Sequence, residues 1–447
     1  MEKQATINIG IIGHVAHGKS TLVNAISGVR TVRFKSELEK NITIKLGYAN
    51  TKIYMCDSEE CPRPGRYRSF KSSAKDGTAC PRQGCTGRLR LVRHVSFVDC
   101  PGHDVLMSTM INGTAIMDSA ILLVAANEHC PQPQTQEHLF ALERTDISQI
   151  VVVQNKIDLI SRERCLNQRD RIREFLATTK ASSSPIVPVS GQYKINIDAV
   201  LDFIVNYIPQ TARDTKAPPR MVIIRSFDVN KPGYKVDMLS GGVIGGSLLR
   251  GRVRIGDEIE IRPGHVVREG RRFVCTPYLS RIVSLKTEDN ELSEAYPGGL
   301  IGIGTEIDPA CCIADALVGQ VMGIRGCLPS IYVAIEVRYE LFPEVAGHRA
   351  PGKHGAAMAA GEVFLLNIGS CSLAATLARA DGGLAKFELS RPVCSDTGEK
   401  ITISKKVAGS WRLVGYATVE DGERVEPSYE SEGLLEMDSL RECLTEP

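Results

Sequence analysis

The sequence predicts an α/β domain followed by two all-β barrels. The first two hundred residues alternate short apolar runs with amphipathic stretches, which is the pattern of a βαβ sheet. A Pro-rich join at Lys216–Arg220 ends that pattern, and short apolar runs between Gly-rich turns follow it. With 447 residues, the chain is about three times as long as a usual domain. We expect domains at residues 1–212, 219–329 and 330–428, and an acidic tail at 429–447.

The elements of the first domain follow from apolar periodicity. Continuous apolar runs between turn residues indicate buried strands, and stretches with a 3.6-residue period indicate helices. The predicted strands are Ile7–Ile12, Val95–Asp99, Ala120–Ala126, Gln149–Gln154 and Ile186–Val189. The predicted helices are Lys19–Ser27, Gln134–Arg144 and Ile197–Ile208.

The rest of the chain has the strand spacing of β barrels. The strands predicted for the second domain are Met221–Asp228, Gly241–Leu248, Asp257–Ile261, Leu300–Thr305 and Gly319–Ile324. Those predicted for the third are Ile331–Arg338, Val363–Ile368, Ala385–Leu389, Lys400–Ser404 and Trp411–Val419. Past about Pro427 the chain is acidic, and we expect it to be unpacked and disordered.

Composition excludes several classes of protein. Hydrophobic residues make up 43% and charged residues 24%, which excludes collagen-like and wholly disordered chains. The absence of a long apolar run and of a secretory leader predicts a cytoplasmic protein without membrane spans. The net charge of +2 argues against nucleic-acid binding only if the charge is evenly spread. It is not, because residues 30–93 hold fifteen Lys and Arg against six Asp and Glu, and residues 420–447 hold ten acidic residues against two Arg.

A phosphate-binding loop follows the first predicted strand. The run Gly13-His-Val-Ala-His-Gly-Lys-Ser20 fits the pattern G-x-x-x-x-G-K-[ST], between a strand and a helix. Its backbone N–H groups would surround a phosphate, Lys19 would reach the β- and γ-phosphate oxygens, and Ser20 could ligate Mg²⁺. The phosphate-loop residues are Gly13, Val15, Ala16, His17, Gly18, Lys19, Ser20 and Thr21.

Two further motifs occur in the order that a GTPase requires. Asp99-Cys-Pro-Gly-His103 is a D-x-x-G motif, in which Asp99 can hold Mg²⁺ through water and Gly102 can sense the γ-phosphate. Asn155-Lys-Ile-Asp158 follows a strand, and its Asp accepts from guanine N–H groups that adenine lacks. Because unmatched polar groups would be left desolvated, this motif selects GTP over ATP. We assign guanine binding to Asn155, Lys156, Asp158, Ser190, Gly191 and Gln192.

Together these motifs resemble the translational GTPases of the elongation factor Tu type, a P-loop GTPase domain followed by two β barrels. Within that group the sequence is most similar to the gamma subunits of eukaryotic and archaeal translation initiation factor two. The resemblance covers about residues 5–428. It is carried by the stretches Asn41–Ala49, Leu91–Asp104, Cys130–Thr135, Ile224–Gly233 and Pro297–Thr305.

The resemblance implies roles for the switch residues. Thr43 matches the threonine that closes over Mg²⁺ and the γ-phosphate, and His103 matches the catalytic histidine that orients the attacking water. Val15 and Ile42 match the apolar pair that screens this water. Ala16 stands where elongation factors usually have Asp, so we expect hydrolysis to be slow without an activating partner.

Four cysteines between the two switch regions form a candidate metal site. Cys56 and Cys61 are separated by four residues, as are Cys80 and Cys85, in a stretch rich in Pro, Gly and Arg. Four thiolates from two turns can form a closed tetrahedral Zn²⁺ site, and the similar gamma subunits carry a zinc knuckle here. The four-residue spacing is wider than the usual two, so thiols without metal stay the alternative.

The resemblance also implies partners. The family binds initiator methionyl-tRNA in the GTP state, delivers it to the small ribosomal subunit and releases it after hydrolysis, with alpha and beta subunits, an activating factor and an exchange factor. The basic segment around the cysteines and Tyr48 are candidate tRNA contacts. One alternative is an elongation factor, Tu-like or selenocysteine-specific. A second alternative is a non-catalytic GTP-binding scaffold.

Overall fold

The computed structural model describes residues 2–31, 43, 45–103, 106–143, 145, 147, 149–231, 233, 239–270, 272–288, 290–342, 358–407 and 409–429. Strands β1 to β7 form one sheet in the order β3-β2-β4-β1-β5-β6-β7. They are β1 (Ile7–Gly13), β2 (Gly47–Cys56), β3 (Tyr67–Lys71), β4 (Leu89–Asp99), β5 (Ser119–Ala125), β6 (Ile150–Asn155) and β7 (Ile186–Pro188). The helices are α1 (Lys19–Ser27), α2 (Met107–Thr114), α3 (Pro133–Glu143), α4 (Arg162–Leu176) and α5 (Ile197–Asn206).

The centre of this sheet is parallel and covered on both faces. Strand β1 lies between β4 and β5 and runs parallel to both, and every residue of β1 and β5 is buried. Alternate residues of β1 belong to different cores, because Ile11 packs with α1 and α5 while Ile12 packs with α2 and α3. The carboxyl ends of β1, β4 and β6 therefore meet at one edge of the sheet.

The second domain is a barrel in the order β11-β16-β8-β9-β15-β12-β13, closed by pairing of β11 with β12. Its strands are β8 (Arg220–Phe227), β9 (Val243–Arg250), β10 (Val253–Arg254), β11 (Glu258–Glu269), β12 (Arg272–Thr287), β13 (Asn290–Leu292), β14 (Glu294–Ala295), β15 (Ile301–Thr305) and β16 (Val321–Gly323). Strands β10 and β14 pair separately.

The third domain is a closed barrel in the order β17-β20-β19-β18-β21-β22. Its strands are β17 (Ser330–Leu341), β18 (Val363–Ile368), β19 (Cys371–Asp381), β20 (Leu384–Ser395), β21 (Lys400–Val407) and β22 (Ser410–Val425). Each barrel has its own apolar core, one around Ile223 and Ile303 and the other around Phe364 and Phe387.

The predicted fold class is confirmed, and the predicted domain boundaries stay predictions. Helix α1 and strand β18 have the predicted bounds. The helices α2 and α4 and the strands β2, β3, β10, β12, β13, β14 and β19 were not predicted. No helix within the described ranges is long and apolar enough to cross a membrane.

The first residues beyond Pro427 are packed, contrary to the expectation for this stretch. Ser428 N donates to Cys275 O on β12 (2.8 Å). The Tyr429 hydroxyl donates to Glu260 Oε1 (2.8 Å) and accepts from an Nη of Arg262 (2.9 Å). These contacts form because Glu260 is fully buried and a buried carboxylate needs hydrogen-bond donors. Residues 430–447 lie outside the described part of the chain, as do Ile42 and Arg144.

Candidate functional site

The phosphate loop links β1 to α1 at the carboxyl edge of the sheet. Gly18, the residue just before α1, has φ of +94°, and a Cβ there would come within 2.4 Å of the Asn155 amide nitrogen. Both features require glycine. Lys19 Nζ donates to Gly13 O (2.9 Å) and His14 O (2.8 Å), so the lysine braces the loop from inside.

The Lys19 ammonium is almost fully buried. Burial lowers its pKa to about 8, and the nearby Asp99 carboxylate opposes this shift only in part. Burying a cation costs free energy, and its two carbonyl partners carry no full negative charge. Binding of an anion beside Lys19 would therefore be strongly favourable. The arrangement suits a phosphate group at this loop.

The D-x-x-G loop lies directly against the phosphate loop. Asp99 ends β4 and pairs in register with Ile11 of β1, and Asp99 Oδ2 accepts from Thr31 Oγ1 (2.5 Å). A Cβ on Gly102 would lie 2.4 Å from Lys19 Nζ and 2.8 Å from Gly13 O. Only glycine fits at position 102, because the two loops are in close contact there. A displacement of either loop would therefore displace the other.

Ser20 and Thr43 meet at the mouth of the phosphate loop, where their hydroxyl oxygens are 3.1 Å apart. Two oxygens at adjacent corners of an octahedral Mg²⁺ shell, each about 2.1 Å from the ion, are about 3.0 Å apart. The pair therefore fits neighbouring positions on Mg²⁺, with Asp99 nearby. Val15 is half-buried and His103 is exposed at the end of the D-x-x-G loop.

The guanine-binding motifs converge on Asn155, the last residue of β6. Asn155 Nδ2 donates to His17 O (2.8 Å), and Asn155 Oδ1 accepts from Gly191 N (3.0 Å). One side chain thus joins the phosphate loop to the Ser190–Gly191 turn. Lys156 has φ of +62° and starts a 3₁₀ turn, Ile157–Leu159, on which Asp158 is exposed. Ser190 is buried, with its Oγ accepting from Tyr193 N (3.3 Å), and Gln192 is exposed.

Two histidines support the phosphate loop in ways that the sequence did not indicate. His138 on α3 is buried, and its Nδ1 accepts from Gly13 N (3.1 Å). Burial lowers the pKa of His138 to about 3, so the ring is neutral and can accept this bond. His17 Nδ1 donates to Leu123 O (2.9 Å), and burial lowers the pKa of His17 to about 4. The sequence around His138 contains no motif that would predict a contact with Gly13, which is 125 positions away.

The four cysteines predicted to bind zinc form one cluster. Their Sγ atoms all lie within 4.8 Å of one another, and those of Cys56 and Cys85 are 3.6 Å apart. Tetrahedral Zn²⁺ with bonds of about 2.3 Å would hold two sulfurs about 3.8 Å apart. Burial raises the pKa of Cys56 to about 12, while hydrogen bonding from the Gly87 backbone lowers the pKa of Cys85. The donor set and its spacing fit a structural zinc site.

Exposed cations surround this cluster. Arg63 and Arg90 are 55% and 75% exposed, so each keeps most of its side chain in solvent even though Arg63 pairs with Asp202 on α5 (2.6 Å). The other exposed cations of this segment are Lys71, Lys75, Arg82 and Arg88. We call these six cations the basic surface; the same segment also exposes the carboxylates of Asp57, Glu59, Glu60 and Asp76.

Tyr48 lies on β2, where the first domain meets the barrels. Its ring packs on a core that includes Ile224 and Phe342, and burial raises the pKa of its hydroxyl. Close by, Asp315 of the second domain accepts from Arg225 Nε (3.0 Å) and pairs with Lys45. The start of β2 is thus fastened to the second domain, and the tRNA contact at Tyr48 stays a prediction.

Comparison with known families divides the chain into three matches. The family described as elongation factor Tu GTP binding domain matches residues 4–210. Elongation factor Tu domain 2 matches residues 241–323, and initiation factor eIF2 gamma, C terminal, matches residues 333–419.

Similar structures share the fold. A bacterial selenocysteine-specific elongation factor matches with a TM-score of 0.68 at 20% identity, covering 93% of this chain and 58% of that protein. The elongation factor SelB of Methanococcus maripaludis with a GTP analogue matches with a TM-score of 0.66 at 18% identity, covering 95% and 80%. At this identity the likeness establishes the architecture alone.

Curated relatives are much more similar in sequence. Eukaryotic translation initiation factor 2 subunit gamma of Encephalitozoon cuniculi is 58% identical, over 97% of this chain and 96% of that protein. Eukaryotic translation initiation factor 2 subunit 3 of Drosophila melanogaster is 54% identical, over 97% and 92%. The subunit gamma of Schizosaccharomyces pombe is 53% identical, over 94% and 95%. With this identity over nearly its whole length and a GTP site built from intact motifs, the chain belongs to the gamma-subunit family of translation initiation factor 2 and is a GTP-binding GTPase of translation initiation.

Proposed function

We propose that this chain is the GTP-binding core of a heterotrimeric initiation factor. In the GTP state it binds initiator methionyl-tRNA, it delivers this tRNA to the small ribosomal subunit in the cytoplasm, and it releases it after hydrolysis. The observation that carries the proposal is the convergence of the phosphate, D-x-x-G and guanine loops on one sheet edge, where Asn155 joins the phosphate loop to the Ser190–Gly191 turn. The relatives named as subunits of initiation factor 2 support the assignment to initiation.

The phosphate end of the site divides its work among a few residues. Backbone N–H groups of Gly13 to Thr21 hold the phosphates, and Lys19 neutralises the β- and γ-phosphate oxygens. Ser20 and Thr43 would hold Mg²⁺ directly, and Asp99 would hold it through water. When bound, Mg²⁺ supplies positive charge that stabilises the negative charge developing on the transferred phosphoryl group.

Hydrolysis depends on the loop that ends in His103. Gly102 N–H binds the γ-phosphate, and the exposed His103 ring orients the attacking water. Ala16 adds no charge beside the γ-phosphate, so the intrinsic rate is low and an activating partner accelerates it. Fast single-turnover hydrolysis by the isolated chain would contradict this need for a partner.

Guanine recognition belongs to the other end of the site. The Asp158 carboxylate accepts from guanine N1–H and N2–H₂, Lys156 stacks along the base, and the turn at Ser190, Gly191 and Gln192 closes the far side. Asn155 holds these loops together beside the base, and we keep it among the guanine-binding residues. An exchange factor promotes the release of GDP from this site.

Zn²⁺ is the ion that we propose for Cys56, Cys61, Cys80 and Cys85. Four thiolates close the coordination shell, so the site is structural and not catalytic. The ion would fold residues 56–89, whose few buried apolar side chains make only a small core. The folded segment then presents its exposed arginines and lysines as one rigid basic surface.

Initiator methionyl-tRNA is the ligand that we propose for this basic surface and for Tyr48. Clustered cations supply phosphate-backbone affinity, and Tyr48 would stack on the terminal adenine only after its ring leaves the core between the domains. The alpha subunit docks on the second domain and the beta subunit on the first.

A comparison of four tRNA complexes tests the proposal. Charged initiator tRNA and charged elongator tRNA are each titrated by filter binding against the protein, once with GTP and once with GDP. We expect tight binding only for initiator tRNA with GTP. Preference for elongator tRNA would favour an elongation factor, and equal binding in all four titrations would overturn the proposal.

A further inference from the structure

A hairpin of the third domain lies against the helix that follows the D-x-x-G loop. Strands β18 and β19 form this hairpin, in which Asn367 and Ser372 are directly opposite. Helix α2 packs on the hairpin and starts four residues after His103. Asn367 is buried in the contact, with 3% of its surface exposed, so its polar atoms depend on protein partners.

The Asn367 amide bridges the two domains. Its Nδ2 donates to Asn112 Oδ1 on α2 (2.7 Å) and to Ser372 Oγ (2.7 Å), and it lies 3.3 Å from Ser108 O. Ser372 Oγ donates in turn to Asn112 Oδ1 (3.1 Å). Thr402 Oγ1, within the barrel, donates to Asn367 Oδ1 (3.3 Å).

Chemistry fixes the orientation of this amide. A backbone carbonyl can only accept, so the Asn367 atom that faces Ser108 O must be the nitrogen. With that orientation Asn112 must present its oxygen, and both the nitrogen and the oxygen of the Asn367 amide have complementary partners. A buried amide that is hydrogen-bonded through both of its polar atoms favours one arrangement of its elements over others.

Both ends of the bridge are held in place. On the barrel side, Ser370 Oγ in the hairpin turn donates to Ile223 O of the second domain (2.8 Å). On the helix side, Leu106 N donates to His103 O (2.9 Å), which couples the start of α2 to the D-x-x-G loop. A rotation or translation of α2 therefore moves the residues next to the phosphate loop.

We infer that Asn367 is a positioning residue for GTP hydrolysis: through Asn112, it holds α2 where Gly102 and His103 face the γ-phosphate. This inference rests on the roles proposed above for these two residues. It makes the hydrolysis rate depend on a side chain of the third domain that touches neither nucleotide nor metal. GDP has no γ-phosphate, so its affinity depends on the phosphate and guanine loops and not on Asn367.

The test uses the full chain and four variants: Asn367→Ala, Asn112→Ala, the double variant, and Thr402→Val as the matched control. Thr402→Val removes a hydrogen bond that Asn367 makes within the barrel and leaves the bonds between Asn367 and α2 in place. Single-turnover GTP hydrolysis and GDP affinity are measured for each. We expect Asn367→Ala and Asn112→Ala each to slow hydrolysis by about 3- to 30-fold, the range for coupling through a packed contact. The GDP affinity of each variant should stay within about twofold of the parent value. The hydrolysis rate of Thr402→Val should also stay within about twofold of the parent rate.

The double variant is decisive, because the two asparagines act through one bond. Its hydrolysis rate should match that of the slower single variant. The inference would be overturned if the two single-variant effects on the rate multiply in the double variant, or if Asn367→Ala hydrolyses GTP at the parent rate. A loss of GDP affinity and of thermal midpoint in parallel with the rate would also overturn it. A parent chain that neither binds nor hydrolyses GTP would instead contradict the proposed function.

Discussion

The hydroxyl oxygens of Ser20 and Thr43 lie 3.1 Å apart, although the two residues are 23 positions apart in the sequence. Ser20 is fixed on the first turn of α1, and Thr43 comes from the segment before β2. Their spacing fits two adjacent ligands of Mg²⁺. The pair thus connects the phosphate loop to the segment that is fastened to the second domain by Lys45 and Asp315.

Nucleotide affinity should depend on pH through Lys19. Its pKa is lowered to about 8 in the free protein, and bound phosphate oxygens favour the charged form, so the pKa is higher in the complex. Binding then takes up a proton above about pH 8, and the association constant falls by up to about tenfold per pH unit. Below about pH 7 it should be flat. Equilibrium titrations of GDP from pH 6.5 to 9 measure this slope.

The matched control is Lys19→Arg, because a guanidinium keeps its charge throughout this range. Its affinity is expected to be lower than that of the parent but independent of pH. The same downward slope in Lys19→Arg would show that another group is responsible.

Base selectivity should follow Asp158. In Asp158→Asn, the amide can no longer accept from both guanine N–H groups, and its own N–H₂ faces the guanine amine. We expect GTP affinity to fall by about 100-fold or more, because the unmatched donors are desolvated. Xanthosine triphosphate, which carries an oxygen in place of that amine, should gain affinity. Competition titrations with both nucleotides check this, and unchanged GTP affinity would remove Asp158 from the base contact.

The cysteine cluster should hold Zn²⁺ at a ratio of about one per chain in protein purified without chelator. Cys85→Ser removes one thiolate and should lower both the zinc content and the thermal midpoint. Cys165→Ser is the matched control, since this half-buried cysteine on α4 lies outside the cluster. Elemental analysis that finds no zinc in the parent protein would contradict a zinc site. An equal loss of zinc content and thermal midpoint in Cys85→Ser and Cys165→Ser would contradict it too.

Two truncations of the acidic tail, one ending at Tyr429 and one at Pro427, should differ in thermal stability. A chain ending at Tyr429 keeps the hydrogen bonds to Glu260 and Arg262 and should unfold at the parent temperature. A chain ending at Pro427 loses them and should be less stable by about 1.5–3 kcal/mol, the range for a hydrogen bond to a charged group. Tyr429→Phe tests the hydroxyl alone. Equal melting temperatures for both truncations would exclude this role of Tyr429.

The predictions from sequence succeeded where local rules decide the structure. Helix α1 has its predicted bounds because Gly18 and Gly28, both with positive φ, mark its two ends. The phosphate and guanine motifs lie at strand ends because their chemistry requires that context.

Tertiary packing decided the elements that were missed. Helix α4 has few apolar residues. Its buried residues are Gln168, Ile172 and Leu176, and the first of these is polar. Strand β19, with the sequence Cys-Ser-Leu-Ala-Ala-Thr-Leu-Ala-Arg-Ala-Asp, is rich in helix-forming residues, but its pairing with β18 and β20 overrides that preference.

Buried polar contacts between distant segments were also invisible in the sequence. His138 bonds Gly13 across 125 positions, and Asn367 bonds Asn112 across 255. Neither residue belongs to a motif, because each acts through a partner that the fold alone brings near. The same reason applies to Tyr429, whose acidic surroundings suggested an unpacked tail.

The most direct test of the account measures the affinity of charged initiator tRNA with a non-hydrolysable GTP analogue and with GDP, for the parent chain and for Thr43→Ala. The parent should bind the tRNA at least about tenfold more tightly with the GTP analogue, a coupling within the usual range for linked sites. Thr43→Ala should lose this preference while keeping its GDP affinity. Equal tRNA affinity in both nucleotide states of the parent would contradict the claim that the nucleotide controls tRNA binding.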